Sequence, residues 1–331
     1  MPAAIMRILP MLATLAILVI AISIVSPNFL DISLANGRLY GSPIDVLNRG
    51  APVALLAIGM TLVIATGGID LSVGAVIAIC GAVAAKTITS GYGLPSAIGL
   101  SLLVGLLCGL WNGFLVAVLR IQPIVATLIL MVAGRGIAQL ITEGAILTFN
   151  HAGLAFMGSG IVATIPVPIL IWVGMAIVTM LVVRRTALGF LIESVGINAR
   201  AAFRAGVNTR ALIIAVYVIS GLCAAIAGII VAADIRGADA NNAGLWLELD
   251  AILAVVIGGN SLLGGRFSIL ASLIGAMITQ TVNTGILISG FPPEYNLVIK
   301  ACIVLVILLV QSPRLRLTER LRLRGKPGAR T

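Results

Sequence analysis

Charged residues are scarce in this sequence, and their scarcity excludes a water-soluble fold. Only 10% of the 331 residues are charged and 60% are hydrophobic, whereas about 25% of a soluble domain is charged. The formal net charge of +10 would otherwise suggest a nucleic-acid partner. The cations, however, concentrate between residues 184 and 210 and in the C-terminal tail, as membrane topology requires. We therefore expect a protein embedded in a lipid bilayer, with no nucleic-acid partner.

The residues that enzymes and metal sites need are also few. None of the three lysines closes a GxxxxGK[ST] phosphate loop, and there is no HExxH or GxSxG motif. The single histidine, His151, lies in a polar segment, where we expect a solvated loop side chain. The four cysteines lie in apolar runs without a CxxC pair. The sequence predicts no enzyme, cofactor or metal site, and no ATP hydrolysis by this chain.

Long apolar runs make up most of what is present. A spanning helix needs about 20 mostly apolar residues, and ten runs approach that length. The predicted fold class is all-α: a polytopic membrane protein of about ten transmembrane helices, forming a single domain over residues 1–331. The eighth run is the shortest, so a half-length or broken helix is expected there. The runs cover residues 8–25, 49–66, 71–88, 95–119, 123–142, 166–183, 211–233, 249–259, 268–288 and 296–312.

The basic residues predict the orientation of these spans. An N-terminus in the cytoplasm places fifteen of the 21 cations on the cytoplasmic side, and the opposite orientation would violate the positive-inside rule. We expect both termini in the cytoplasm, with a basic tail over residues 313–331. Most acids, including Glu248 and Asp250, then lie on the outer side of the membrane. The cytoplasmic cations are Arg7, Arg120, Arg266, the five arginines between 184 and 210, and seven in the tail.

An acid lies between two uncharged apolar runs in the stretch GGIDLSVG, residues 67–74. Gly67 and Gly68 let the chain leave the second span without steric cost. Asp70 either caps the helix predicted downstream or lines a solute path together with Ser72. Both roles are compatible with an acid at this position.

A second glycine-rich stretch, GGNSLLGG at residues 258–265, ends the eighth span. In the predicted topology it lies on the same side of the membrane as GGIDLSVG. We interpret Gly258 and Gly259, with Gly67 and Gly68, as breaks at an inner gate.

Other polar side chains at membrane depth are candidates for the solute path. Trp111 offers a flat apolar face and Asn112 an amide, which together suit a sugar; an interhelical hydrogen bond from Asn112 is an equal alternative. A neutral solute fits better than an ion because no row of charges lines a span. Arg135 is interpreted as structural, paired with Asp70 or Glu143. The remaining candidates are Thr127 and Gln139 on the fifth span, and Gln280, Asn283 and Thr284, which share one face of the ninth.

The cytoplasmic segment 184–210 combines five arginines with helix-forming residues. Two helical pieces are predicted, over residues 188–194 and 199–205, broken by Gly196 and Gly206 and lying across the membrane face. Because the chain has no ATP site of its own, this segment is where an energising partner would dock.

Taken together, four stretches resemble the permease subunits of ribose/galactofuranose-type ATP-binding-cassette (ABC) sugar importers. The resemblance covers nearly the whole chain, and the order and spacing look close to a galactofuranose importer permease. The stretches are GGIDLSVG (67–74), QPIVATLILMVAGRGIA (122–138), RRTALGFLIESVGINARAAFRAGV (184–207) and VVIGGNSLLGGRFS (255–268).

The resemblance implies an ABC importer permease fold in a bacterial inner membrane. It also implies a second permease copy or a homologous permease, cassette ATPases that bind the ATP, and a periplasmic sugar-binding protein. The segment 184–207 would act as the coupling helix seated on the ATPase. Its coupling residues would be Gly189, Glu193, Gly196, Asn198, Ala199 and Arg200.

Three other functions remain open from the residues alone. An ABC permease for branched-chain amino acids would differ only in cargo. A stand-alone secondary carrier or channel would transport without an ATPase, but the sequence lacks the intramembrane acid pairs that ion coupling uses. A membrane scaffold or receptor would not need Asp70, Asn112 and Asn283 at membrane depth.

Overall fold

A computed structural model describes residues 3–35, 37–290 and 295–311, and every predicted apolar run contains a helix within them. The prediction of an all-α polytopic membrane protein is confirmed, and its count of about ten transmembrane helices fits roughly. The predicted basic tail 313–331 lies outside the described residues. The helices are α1 Ala3–Val25, α2 Ser42–Arg49, α3 Ala51–Ala65, α4 Val73–Thr89, α5 Leu94–Ala117, α6 Pro123–Thr142, α7 Ala152–Ser159, α8 Val167–Arg185, α9 Leu188–Arg204, α10 Thr209–Ile235, α11 Leu247–Ile257, α12 Ile269–Ile288 and α13 Asn296–Gln311.

Six of the described helices are long and apolar enough to cross a membrane, and the bent pair α2–α3 is long enough for a seventh span if its two helices are counted as one. That pair bends by 46° around Gly50. The prediction of a short eighth span is confirmed, because α11 has only 11 residues. The remaining short apolar helices are α4 and α13.

The strands are short antiparallel pairs in the connections between helices. They are β1 Ser33–Ala35 with β2 Arg38–Tyr40, β3 Leu147–Thr148 with β6 Gly237–Ala238, and β4 Ile161–Val162 with β5 Ile165–Pro166. The β3–β6 pair ties the segment after α6 to the segment after α10.

The central helix is α10, which packs against α3, α4 and α5. Glycines at every fourth position of α5 let its backbone approach α10 closely. A Cβ on Gly109 would lie 2.5 Å from the carbonyl oxygen of Tyr217, and one on Gly113 would lie 2.8 Å from the Cα of Ile214. Small residues at such a spacing are typical of helix pairs in membranes, where close backbone packing replaces the hydrophobic effect.

The connections contain more structure than the sequence predicts. His151 is not a free loop side chain: its Nδ1 accepts a hydrogen bond of 3.2 Å from the backbone N–H of Leu154 and caps α7. The break in the segment 184–210 lies at Asn198, not at Gly196. Asn198 is extended (φ −158°, ψ 94°), and its Oδ1 accepts a hydrogen bond from Ala201 N that begins the second helical piece. Gly206, at φ +90°, follows the end of α9 as predicted.

Candidate functional site

Three of the stretches singled out in the sequence meet at one end of the helical bundle. This end, called the α9 end below, comprises residues 65–72, α9 and residues 258–268. The backbone N–H of Gly265 donates a 2.9 Å hydrogen bond to the carbonyl oxygen of Ala65. A Cβ on Gly196 would lie 1.8 Å from that same oxygen. The two glycine-rich breaks therefore lie on the same side, as predicted, and α9 packs directly against both.

The segment 258–268 is held in place by Asn260, the third residue of GGNSLLGG. Its Nδ2 donates to Ser272 Oγ at 2.8 Å, and its Oδ1 accepts from the backbone N–H of Ser268 at 2.7 Å. Thr61 Oγ1 on α3 also bonds to Ser272 Oγ, at 2.7 Å. The predicted gate residues Gly258 and Gly259 thus begin a segment that is hydrogen-bonded to both α3 and α12.

Asp70 lies inside the protein, with 2% of its surface exposed. Its Oδ1 accepts from Ser72 N at 3.1 Å and Ser72 Oγ at 2.6 Å, and its Oδ2 accepts from Ser220 Oγ at 2.9 Å. The prediction of a helix N-cap is wrong in detail. Ser72 occupies the cap position of α4, and Asp70 bonds to Ser72 itself. The carboxylate instead joins the break to α10 through Ser220, a residue that sequence reasoning missed.

Trp111 and Asn112 do not form one site. Successive helical residues point about 100° apart. Asn112 accordingly lies in the interior, where its Nδ2 donates to Ser72 Oγ at 2.8 Å. Half of the Trp111 side chain is exposed on the outer surface of α5. The interhelical hydrogen bond, left open above as an alternative for Asn112, is the arrangement observed.

The polar face of α6 holds connecting segments in place. Thr127 Oγ1 accepts from the backbone N–H of Leu71 at 3.2 Å, beside the break. Gln139 Nε2 donates to Asn241 Oδ1 at 2.7 Å. Arg135 Nη1 donates to two backbone carbonyl oxygens of the segment before α11, those of Ala240 at 2.9 Å and Ala243 at 2.6 Å.

The predicted pairing of Arg135 with Asp70 or Glu143 is wrong. Arg135 is already bonded to backbone carbonyl groups, and Glu143 Oε1 accepts from Lys86 Nζ at 2.8 Å on the exposed surface. That hydrogen bond, with the lysine charge, lowers the pKa of Glu143.

A cavity of about 430 Å³ lies at the opposite end of the bundle, called the cavity end below. Ends of α2, α3, α10, α11, α12 and α13 surround it. Of the predicted path residues, Gln280 and Asn283 line it. Thr284 is buried beside Asn283, and its hydroxyl has no hydrogen-bond partner among the described residues. The polar lining residues are Asn48, Arg49, Asp234, Asp250, Gln280, Asn283 and Lys300.

One wall of the cavity contains an ion pair between Lys300 Nζ on α13 and Asp250 Oδ1 on α11, and both side chains are largely buried. Glu248 and Asp250, predicted on the outer side of the membrane, lie inside the helical bundle. Both belong to the first turn of α11 and are less than a tenth exposed. Helix α11 is too short to carry them out of the bundle, so Asp250 is neutralised by a neighbouring helix.

The outward surface of α9 is apolar and basic. Phe190, Ile197 and Phe203 are each about 70% exposed, and Leu263 of the neighbouring segment is 90% exposed. Among the predicted coupling residues, Asn198, Ala199 and Arg200 are exposed, whereas Glu193 and Gly196 are partly buried. Gly189 faces α8, since a Cβ there would lie 2.6 Å from the carbonyl oxygen of Val183.

A bundle of long apolar helices defines a polytopic helical membrane protein. The chain belongs to the family described as branched-chain amino acid transport system / permease component, whose family model matches residues 42–308.

Characterised relatives match over nearly their whole length. The galactofuranose transporter permease protein YtfT of Escherichia coli (strain K12) is 64% identical over 92% of this chain and 90% of its own. The fructose import permease protein FruF of Bifidobacterium longum (strain NCC 2705) is 41% identical over 90% of this chain and 86% of its own. The ribose import permease protein RbsC of Escherichia coli (strain K12) is 36% identical over 92% of this chain and 93% of its own.

Proposed function

We propose that this chain is the membrane-spanning subunit of an ATP-driven ABC importer that moves a neutral monosaccharide across a bacterial inner membrane. The cargo is a pentose or hexose, with galactofuranose as the specific candidate. The observation that carries the proposal is the 64% identity over 92% of the chain to a galactofuranose transporter permease. The fructose and ribose import permeases support the same class of cargo.

The energy for transport comes from a separate ATPase, because the sequence contains no phosphate loop. Its docking surface is the exposed face of α9. Exposed aromatic and aliphatic side chains rimmed by arginines are the composition of an interface centre and its polar edge. The patch comprises Phe190, Ile197, Phe203, Leu263, Arg200 and Arg204.

The contacts of α9 support its role as a coupling helix. Gly196 lies against Ala65, where the break 66–72 begins. A displacement of α9 by the ATPase would therefore act directly on the end of α3 and on the segment 258–268. The glycines at 67, 68, 258 and 259 are the proposed hinge positions of the inner gate.

The remaining parts of the importer follow from this assignment. A second copy of the chain or a homologous permease completes the membrane unit, and a periplasmic binding protein delivers the sugar at the cavity end. The α9 end faces the cytoplasm, and both termini lie there, in agreement with the positive-inside rule.

The test is ATP-driven uptake by the importer reconstituted in proteoliposomes with its co-expressed ATPase and binding protein. We expect uptake of labelled D-galactose or D-ribose that requires internal ATP. Uptake of L-leucine alone would instead support a branched-chain amino acid permease. Sugar uptake by the chain without any ATPase would support a secondary carrier.

Exposed residues allow the docking surface to be tested separately. Phe190→Asp and Ile197→Asp place a charge on the surface of α9 without filling a buried space, so the chain should insert normally. We expect at least a tenfold loss of ATPase co-purification and of uptake. Tyr92→Asp, in the exposed connection between α4 and α5, is the matched control and should change neither. Unaltered co-purification in both α9 variants would refute this surface.

A further inference from the structure

Three amide side chains converge on the cavity without hydrogen bonds. Asn48, Gln280 and Asn283 line it, and none of these side chains bonds to any other group in the described part of the chain. The Oδ1 atom of Asn48 is fully buried, and Gln280 is only 7% exposed. The amide network around Asn260 at the α9 end, by contrast, is paired with its neighbours.

Buried amides without partners are costly, since folding removes their hydrogen bonds to water. An apolar side chain would fill these positions at a lower cost in free energy. Of the three, Gln280 is buried, whereas Asn48 and Asn283 are partly exposed. All three line the cavity without a bond to a described residue, so a molecule entering the cavity can supply their partners. Each amide can donate two hydrogen bonds and accept two, so the expected partner carries several hydroxyl groups.

The charges around the cavity favour a neutral ligand. Lys300 and Asp250 neutralise one another across its wall, and Arg49 and Asp234 add one further charge of each sign. The formal charge of the lining is therefore zero. Trp246, 49% exposed, adds an apolar face of the kind that covers the C–H face of a sugar ring. The volume of about 430 Å³ lies within the usual range for small-molecule sites.

We infer that this cavity is a binding site for a monosaccharide within the permease subunit itself, with Gln280 and Asn283 of α12 and Asn48 of α2 as its hydroxyl partners. The inference rests on the proposed function and extends it, because it moves the solute site from the Asp70 network to the cavity end. Asp70, Ser72, Asn112 and Thr127 then stabilise the break rather than contact sugar.

The first measurement is direct binding of labelled D-galactose, D-ribose and D-fructose to the purified full-length chain in lipid nanodiscs. We expect saturable binding of at least one sugar by the wild type. The double variant Gln280→Leu/Asn283→Leu, which keeps side-chain volume and removes the amides, should bind at least tenfold more weakly. Asn283→Asp, which keeps the shape and an acceptor, should show an intermediate loss. Asn28→Leu is the control, an exposed amide outside the cavity, and should bind as the wild type does.

The second measurement is ATP-driven uptake by the reconstituted importer, which separates the two proposals. Absence of ATP-driven sugar uptake by the wild type would refute the proposed function. Wild-type uptake together with unchanged sugar binding in the double variant would overturn the cavity inference alone. Wild-type uptake without saturable binding to the isolated chain would overturn it too. Melting curves of the variants in detergent, equal to the wild type's, would show that a loss of binding is not a loss of fold.

Discussion

The two ends of the bundle differ in how the polar groups that characterise them are partnered. At the α9 end, the buried Asp70 and the partly buried Asn260 are hydrogen-bonded to neighbouring segments. A Cβ on Gly196 there would lie 1.8 Å from the carbonyl oxygen of Ala65. At the cavity end, the amides of Gln280 and Asn283 surround open space without bonds. Satisfied networks make a region rigid and specific, whereas unpaired groups around a cavity are available to a ligand. The contrast supports the proposal that one end transmits force and the other binds solute.

The largest effect is expected from breaking the ion pair at the cavity end. Lys300→Met leaves the Asp250 carboxylate without its partner, and removing one member of a buried pair costs about 3–5 kcal/mol. Unfolding of the purified chain in mixed micelles should show this loss. The double variant Lys300→Met/Asp250→Leu should recover most of the stability because no unpaired charge remains. A single variant as stable as the wild type would show that the pair does not hold α13 against α11.

A smaller effect is expected from filling the close contact at the α9 end. Gly196→Ala places a methyl group 1.8 Å from the carbonyl oxygen of Ala65. Because both neighbours are backbone, the cost should be about 1–3 kcal/mol in the free energy of unfolding, together with a loss of uptake. Gly136→Ala, on α6 with nothing within 4 Å of the added methyl, is the matched control. Equal uptake in the two variants would remove Gly196 from the coupling contact.

The smallest effect is expected from Asp70→Asn, which sharpens the difference between a structural acid and a solute ligand. The asparagine Oδ1 can still accept from Ser72, and its Nδ2 can donate to Ser220, so the loss should be about 1 kcal/mol. Sugar binding by the chain should not change. Asp70→Leu leaves the same donors unpaired and should be clearly less stable. A tenfold loss of sugar binding in a stable Asp70→Asn protein would return Asp70 to the solute path.

Much of the fold could be predicted because the length of each apolar run shows whether that run can span a bilayer as a helix. The ten runs, the short eighth span and the two breaks on one side were all predictable in this way. The hydrogen-bond partners of the polar side chains were not predictable. Arg135 pairs with carbonyl groups more than one hundred residues away, and no local pattern specifies them.

The candidate site was harder to predict for the same reason. Asp70 and Asn112 are polar at membrane depth whether they bind solute or hold a break, and only burial and partners separate these roles. Asn283 could be singled out from its depth in the ninth span, but Asn48 could not, since it lies in the last turn of α2, before the second predicted span. The value of Gln280 and Asn283 as ligands depends on the absence of partners, which only the packed structure reveals.

The most direct test compares ATPase retention by two variants, one from each end. The co-expressed ATPase that co-purifies per permease is measured for Ile197→Asp and for Gln280→Leu/Asn283→Leu. If the two ends act separately, the cavity variant retains as much ATPase as the wild type and the α9 variant loses at least tenfold. If both variants retain as much ATPase as the wild type, or if both lose it, the division between a coupling end and a solute-binding end is contradicted.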